Sequence, residues 1–394
     1  MKKTLGQSAS ACSSHGSSMH FTRLDRLVLT EWLRMLLLTA STLVGLFLVA
    51  DMQNRLIDLI RFGASASEIL QYYLIIIPTF FPLVLPLSVL ISALAALAGM
   101  HRRLEIVAMR NAGLSAARIT RYCWVVGVIL AGLLFWLNGH FVPWAKESSN
   151  ELWNAYRFEG EKAKDKSPEE IGRVPNLTFN NPEGRRRWFI NLFSEYDYNA
   201  YGITVSNFDE TGAEISRIVA NRGYYEELSG HWVFLNGREV TFDPVEGDAL
   251  RNIGFERREM LEMKEDPTLM QYLKKRPQEL SVWQLKRVRN ALEEANDPSA
   301  RKYTLRYLRV LLNPLDVLIA IGLAVPFAIG PIRANPLFGI VKAIALYVVY
   351  FGSTQAMGAL LPSTLSAFGV AAMPTVLMLC FALWLFSRTG RPLK

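Results

Sequence analysis

The chain has 394 residues, of which 51% are apolar, and its 43 Lys and Arg outnumber its 35 Asp and Glu to give a net charge of +8. Charged side chains are missing from residues 69–100 and again from residues 343–387. A bilayer core about 30 Å thick is crossed by about 20 helical residues, so the longer stretch holds two spans. This distribution excludes an ordinary soluble protein and predicts a polytopic membrane protein.

The basic excess lies outside the segment 146–309, which carries 26 basic and 28 acidic residues. A protein that binds nucleic acid concentrates its basic residues on a soluble face. Here the soluble insert is slightly acidic, and the remaining segments hold the excess. The charge therefore argues against a nucleic-acid partner and indicates membrane topology as its cause.

Six membrane spans are predicted, three before the insert and three after it. They lie at about 28–50, within 69–100, within 122–144, and at about 310–332, 336–359 and 368–386. Lys and Arg accumulate in short cytoplasmic loops. The basic clusters between the spans and at the chain ends fall on one side of the membrane if both termini are cytoplasmic. The insert then faces the compartment on the other side of the membrane.

A serine-rich leader, residues 1–22, is predicted to be disordered. It lacks the apolar stretch of a cleavable signal peptide, and the pattern leaves the native start open between Met1 and Met19. Spans one to three are assigned to residues 23–145, with a short cytoplasmic helix at 102–113. A β domain follows at 146–280, then an amphipathic helix and connector at 281–305, and spans four to six at 306–394.

A polar stripe follows the first span in the sequence ADMQNRLIDLIRFG. On a continuing helix Asp51, Arg55 and Asp58 share one face. Charges at membrane depth are costly and usually face a bundle interior, a partner or a cavity. The stripe is either an ordinary interfacial helix end with ion pairs, or a cavity mouth that binds an anionic lipid headgroup. In the second interpretation the contacting arginines are Arg55, Arg61, Arg306 and Arg309.

The stretch HRRLEIVAMRNAGLSAARIT, residues 101–120, connects spans two and three. Its apolar residues suit a short helix, Gly113 permits a left-handed helix end, and Ser115 can cap the helix of span three. Glu105 lies in the first turn, where the helix dipole favours an anion. A basic interfacial loop that binds anionic lipid is the simpler interpretation of this segment.

Residues 177–255 of the insert contain short aromatic and β-branched runs separated by Asn, Asp and Gly. Several strands without intervening helices predict a small sandwich or jelly roll. Asn236 and Gly237 supply the positive φ of a type I′ turn and predict a hairpin there. Ser281 then caps an amphipathic helix that ends at about Ala295 and lies at the outer membrane interface or packs on the sheet.

Catalytic and metal-binding patterns are missing from the sequence. It has no P-loop for ATP, its five histidines have no metal-ligand spacing, and no Ser, His and Asp set converges by spacing. The prediction is a non-enzymatic protein without a metal or cofactor of its own.

Several motifs resemble segments of the lipopolysaccharide-export permeases of the LptF/LptG family. LEIVAMRNAGLS resembles the family's cytoplasmic coupling helix, with Glu105, Met109 and Gly113 at its acid, methionine and glycine positions. LDRLVL, IIIPTFFPLVLPLSVLISALAAL, LNGHFVPWA and LNPLDVLIAIGLAVPFAIGPIR resemble the family's segments in spans one to four. The resemblance covers the chain from about Met19, and the GPIR turn leans toward the LptG branch. The chain departs from the family in its leader, and in having Arg55 and Arg61 near positions where relatives have lysines.

The resemblance implies an α+β membrane protein with six transmembrane helices arranged 3+3 around a periplasmic β-jelly-roll-like domain. Its expected role is that of an ABC transporter permease subunit, which extracts lipopolysaccharide from the outer leaflet of the inner membrane and passes it to a periplasmic bridge. The expected partners are a homologous LptF-type permease, a dimeric cytoplasmic ATPase that binds ATP and Mg, and a single-span jelly-roll protein of the LptC type. The residues expected to couple to the ATPase are Leu104, Glu105, Val107, Met109 and Gly113.

Two other classes compete with this interpretation. A mechanotransmission permease of the FtsX/MacB kind couples an ATPase to a periplasmic domain without moving lipid through its spans. Such proteins have four spans with the large domain after the first, so the predicted 3+3 order argues against that class. A membrane-embedded lipid-modifying transferase should show several His, Asp or Glu on facing helices, and the predicted spans contain few.

Overall fold

The computed structural model of the chain describes residues 22–329, except 163, 165, 166, 168 and 169, together with residues 336–360 and 365–389. The predicted leader up to residue 21, the GPIR turn at 330–333 and the basic C terminus after residue 389 lie outside the described residues. Within the described part, helices precede and follow one β-sheet along the chain.

The helices before the sheet begin and end as follows: α1 (Arg23–Arg61), α2 (Ala66–Ile76), α3 (Phe81–Arg102), α4 (Glu105–Asn111), α5 (Ala116–Ile119), α6 (Arg121–Trp136) and α7 (Val142–Lys162). A 3₁₀ turn, Ile77–Phe80, joins α2 to α3, and a π-helical turn, Leu137–Phe141, joins α6 to α7. The helices after the sheet are α8 (Pro267–Lys274), α9 (Val282–Glu294), α10 (Ala300–Leu312), α11 (Leu315–Ala328), α12 (Pro336–Leu360) and α13 (Ala367–Thr389).

Five helical stretches of the described chain are long and apolar enough to cross a membrane: Arg23–Arg61, Ala66–Arg102, Arg121–Lys162, Phe338–Met357 and Ala367–Thr389. A sixth arises if α10 and α11, whose axes bend by 56° at a short break, count as one span. The fourth predicted span therefore differs from a straight helix at 310–332. It begins earlier, and the dipeptide Asn313-Pro314 interrupts it, because proline cannot donate the helical N–H bond.

The core of the membrane helices is built around α11. Its residues Ile319, Ile321 and Val325 are fully buried among apolar side chains of α3, α6 and α13. A polar contact also sets the register between α1 and α3, because the buried Trp32 donates its indole N–H to the Ser92 hydroxyl at 3.0 Å. Interhelical hydrogen bonds of this kind add specificity where apolar contact alone provides little.

The sheet contains β1 (Arg173–Asn181), β2 (Arg186–Ser194), β3 (Asn199–Phe208), β4 (Glu214–Glu226), β5 (His231–Phe242) and β6 (Ala249–Met260). Each strand pairs antiparallel with its chain neighbour, in the order β1-β2-β3-β4-β5-β6. One face holds a core in which Trp188, Trp232 and Phe234 are fully buried. The predicted α+β class is confirmed, with the strands in a six-stranded antiparallel meander, whereas the jelly-roll form stays a prediction.

The predicted hairpin at Asn236-Gly237 is wrong. Both residues lie inside β5. The antiparallel pairing of this strand with β4 and β6 continues in the same register from Leu235 to Gly237. Asn236 has the expected positive φ of 51°, but the chain does not reverse there. Glycine is required at 237 for space, since a Cβ would lie 2.5 Å from the Phe255 ring and 2.8 Å from the Val219 carbonyl oxygen.

The amphipathic helix is α9, and its predicted serine cap is present, because the Ser281 hydroxyl accepts a hydrogen bond from the Gln284 N–H at 3.3 Å. Its apolar stripe of Leu285, Val288 and Leu292 is buried. The stripe packs in one cluster with α10 and with side chains of α8, and not on the sheet. Protein, and not a membrane interface, covers this stripe.

Candidate functional site

A short helix, α4, stands between two left-handed turns at the ends of the helices that lie away from the sheet. Leu104 has a φ of 63° and ends the run of α3, while Gly113 has a φ of 85° after α4. The Ser115 hydroxyl then accepts from the Arg118 N–H at 3.2 Å and starts α5, the turn that leads into α6. The helix predicted at 102–113 is thus present, in the shorter form Glu105–Asn111.

The side chains of this segment divide between the bundle and the solvent. Ile106 is fully buried and Met109 is nearly so, both within the core of the membrane helices. Leu104 and Gly113 are exposed, and Glu105 and Val107 are half-buried. Four of the five predicted coupling residues are therefore accessible to a partner. The fifth, Met109, packs inward and connects α4 to the bundle.

Ion pairs tie the segment to the start of α1. Arg103 lies 3.4 Å from Glu31 of α1 and 3.9 Å from Glu105. Asp25 is buried in the first turn of α1, accepts a hydrogen bond from the backbone N–H of the N-cap residue Thr22 at 2.9 Å, and lies 3.4 Å from Arg118. Sequence reasoning missed the first-span acids as partners of the loop, although an acid in the apolar opening of a span is a signal for a buried basic partner.

A polar cavity of about 560 Å³ lies where α1, α7 and the 3₁₀ turn after α2 meet the edge of the sheet and the segment that follows α8. Arg55 lines it, donates to the Tyr72 hydroxyl at 2.6 Å, lies 3.7 Å from Asp51, and covers the Trp153 ring at 5.5 Å. The predicted Asp51–Arg55 contact is therefore present. The aromatic and hydroxyl contacts hold the guanidinium at the cavity wall.

Arg61 lies outside this cavity. Its side chain is largely exposed and lies 3.6 Å from Asp58, one turn away on the same helix. The predicted stripe is therefore two ion pairs, of which only the Asp51–Arg55 pair faces the cavity. Exposed pairs of this kind contribute little to stability.

A second cavity, of about 380 Å³, contains Arg306 and Arg309 among α10, α12 and α13. Gln278 lines both cavities, and its carbonyl accepts from the Lys146 ammonium at 3.0 Å. Among the described residues, the buried Nε of Arg306 has no hydrogen-bond partner. The two cavities thus present several basic side chains near the sheet, among them Arg55, Lys146 and Arg306, and the first cavity also holds the acids Asp51, Glu195 and Glu279.

Arg309 is placed differently from the other predicted arginines. It is buried, and its guanidinium donates to the Asp316 carboxylate at 2.9 Å and to the Thr375 hydroxyl at 3.1 Å. Asp316, Tyr350 and Thr375 were missed because their positions in separate apolar spans give no local spacing signal. A single acid inside a predicted span was the one available clue.

Among the described residues, no group of three or more His, Cys, Asp and Glu could hold a metal ion. The site consists instead of a helix presented at one end of the bundle and basic cavities at the other. These features, with five to six candidate apolar spans and a connected sheet, are those of a polytopic α+β membrane protein.

The chain matches the family model described as "Lipopolysaccharide export system permease LptF/LptG" over residues 26–388, and it belongs to that family. The resemblance predicted from the motifs is confirmed, while the leaning toward the LptG branch stays a prediction. Comparison with individually curated proteins finds no match. Members of the family are permease subunits, not enzymes, and they work in lipopolysaccharide export together with partner proteins.

Proposed function

We propose that this chain is one of two permease subunits that extract lipopolysaccharide from the outer leaflet of the inner membrane and pass it to a periplasmic bridge. The observation that carries the proposal is the family match over residues 26–388. The separate helix α4 between two left-handed turns, and the basic cavities at the opposite ends of the helices, are arranged as such a subunit requires.

The proposed topology places both termini and α4 in the cytoplasm and the sheet in the periplasm. The basic loops support this orientation, because Lys and Arg are retained on the cytoplasmic side. Three candidate spans precede the sheet, and two spans with the bent α10–α11 pair follow it, which agrees with a 3+3 arrangement. In this arrangement the six-stranded meander curls into the jelly-roll-like domain that receives lipid.

The proposed source of energy for transport is a dimeric ATPase that binds ATP and Mg in the cytoplasm. Glu105, Leu104, Val107 and Gly113 are accessible on α4 for contact with it. Met109 and Ile106 anchor the same helix in the bundle core. A push on the exposed face is therefore carried directly to α3 and α6 through rigid packing.

The proposed lipid contacts are basic side chains at the sheet end of the bundle. Arg55 and Arg306 line cavities, so their guanidinium groups can meet phosphates while apolar helices contact acyl chains. Arg61 contributes at the exposed rim. Arg309 also lines a cavity, but its guanidinium already donates to Asp316, Tyr350 and Thr375.

The proposed partners are a homologous LptF-type permease, an LptC-type protein with one span and a jelly roll, and a periplasmic bridge of similar folds. Much of α1 and α12 is available for a second permease: Leu37, Leu38, Val348 and Val349 are exposed to more than half of their area. Apolar side chains in this position face either lipid or another membrane protein.

The test is gentle purification of the full chain from its native membrane, with mass spectrometry of the proteins and lipids that accompany it. An ATPase, a second six-span permease and lipopolysaccharide are expected together. An ATPase without lipopolysaccharide would favour the FtsX/MacB-like alternative, in which no lipid moves through the spans. An intact preparation that contains none of the three would contradict the proposal.

A further inference from the structure

The break in the fourth candidate span is bridged by buried polar groups. Arg309 in the last turn of α10 and Asp316 in the first turn of α11 lie on opposite sides of Asn313-Pro314. Their 2.9 Å ion pair crosses the 56° bend, and their side chains are only 9% and 2% exposed. The most buried ion pair among the described residues thus lies at the point where the span changes direction.

Neighbouring spans complete the hydrogen bonding of this pair. The Tyr350 hydroxyl of α12 donates to the other carboxylate oxygen of Asp316. Arg309 donates to the Tyr350 oxygen at 3.3 Å and to the Thr375 hydroxyl of α13 at 3.1 Å. Both ions are therefore satisfied only while α10, α11, α12 and α13 keep this arrangement.

Asn313, the residue at the break, binds two further spans. Its amide donates to the Pro82 carbonyl at the start of α3 at 2.9 Å, and to Asp316 at 3.1 Å. Its side-chain oxygen accepts from Asn138 at 3.1 Å. Asn138 lies in the π-helical turn between α6 and α7, and such turns are frequent at functional sites.

Stability alone does not account for an ion pair at this depth. Charges inside a bilayer are costly, and replacing a buried pair with apolar residues is often neutral or stabilising. A buried pair instead selects one arrangement over others, because each alternative leaves a charge unpaired. A hinge that holds one of two angles requires this selectivity. The break at Asn313-Pro314 is called the fourth-span joint.

The joint lies between the two ends of the molecule. On one side, α11 packs on α3, which leads through Leu104 into α4. On the other side, α10 packs on α9, and the Tyr303 hydroxyl of α10 donates to the Leu273 carbonyl of α8 at 3.0 Å. Helix α8 in turn contacts β1. A change of angle at Asn313-Pro314 would therefore move the sheet relative to α4.

We propose that the Arg309–Asp316 pair is a latch that holds the fourth-span joint at one angle, and that its release lets the helix α10 and the attached sheet swing relative to α11. The bend and the ion pair across it are features of the structure and do not depend on the proposed function. The use of the joint to transmit ATP hydrolysis to lipid release rests on the proposed function.

The angle of the joint can be followed by electron paramagnetic resonance, which measures the distance between two spin labels on the full chain in nanodiscs. Spin labels replace Lys302 on α10 and Arg26 on α1, both exposed, in a background without the native cysteines. Asp316→Asn should shift or broaden the distance distribution, and so should the double variant Arg309→Gln/Asp316→Asn. The matched control neutralises another ion pair of the connector, Arg287→Gln/Asp266→Asn, and should leave the distances as in the parent. Unchanged distances in both Asp316 variants would overturn the latch.

A second experiment measures function, as the ratio of lipopolysaccharide molecules released to ATP molecules hydrolysed in the reconstituted export complex. Asp316→Asn should lower this ratio by about fivefold or more, the range of allosteric couplings, while hydrolysis continues. The double variant removes the unpaired charge and should recover thermal stability but not the ratio. Recovery of both would mean that the pair is structural only and would overturn the proposal. A parent complex that releases no lipopolysaccharide would refute the proposed function, and the distances would still decide the joint.

Discussion

At the residue scale, Glu105 combines accessibility with a defined electrostatic setting. It is half-buried on α4 and shares Arg103 with Glu31 of α1. Glu105→Gln should weaken association with the ATPase about tenfold or more, because a hydrogen bond to a charged group is worth about 1.5–3 kcal/mol. ATP hydrolysis by the purified complex should fall, and bound lipopolysaccharide should stay at the parent level.

Glu31→Gln is the matched control for that change. It removes the other acid that pairs with Arg103 and leaves the exposed face of α4 intact. Assembly and hydrolysis should then stay near those of the parent. Equal losses in both variants would assign the effect to Arg103, and normal hydrolysis in the Glu105 variant would show that the coupling assignment is wrong.

Arg55 lines a cavity and Arg61 lies on the surface, so variants of these two residues distinguish lipid binding in the cavity from lipid binding at the surface. Replacing both with Glu should lower the amount of phosphorylated lipid that is purified with the chain, since acids repel the phosphate that arginine binds. Arg55→Gln alone should give most of this loss, because Arg55 lines the cavity while Arg61 is exposed beside Asp58. The measurement is lipid per protein by mass spectrometry. Unchanged lipid in the double variant, or a larger loss in Arg61→Gln, would contradict the assignment.

At the element scale, β5 depends on the absence of a side chain at Gly237. Gly237→Val should destabilise the protein by about 1–3 kcal/mol, the usual cost of overpacking, because the Val219 carbonyl cannot move as freely as the Phe255 ring. Thermal unfolding of the full chain, followed by the fluorescence of the buried Trp188 and Trp232, measures the change. Gly254→Ala on the neighbouring strand is the control, since its Cβ would meet only the Gly237 oxygen at 3.9 Å. Equal melting of both variants would rule out this explanation.

Local signals predicted these elements better than remote ones did. The caps at Ser115 and Ser281 were predictable because each hydroxyl bonds an N–H three residues away. Asn236 shows the limit of such signals: its positive φ was predicted, but tertiary pairing keeps the strand running through it. Arg309 and Asn313 lie close to Asp316 in the sequence, but its partner Tyr350 comes from a helix that adjoins only after folding, so no spacing in the sequence could identify that contact.

At the scale of the whole molecule, the proposed ATPase and lipid contacts lie at two ends that packing connects. The accessible face of α4 lies at one end of the bundle, and the basic cavities lie at the other, beside the sheet. The fourth candidate span is the element that bends between them. Bistable elements at such positions, and not continuous deformation, are what convert small shifts into large ones.

This division requires the two ends to face different compartments, and cysteine labelling tests it. Leu228 at the β4–β5 turn and Asn111 at the end of α4 are both exposed. In a background without native cysteines, Leu228→Cys should react with a membrane-impermeant maleimide once the outer membrane is opened. Asn111→Cys should react only after the inner membrane is also permeabilised, because in the proposed topology the basic loops keep this end in the cytoplasm. Labelling in the reverse order would invert the topology and remove the ATPase contact from α4.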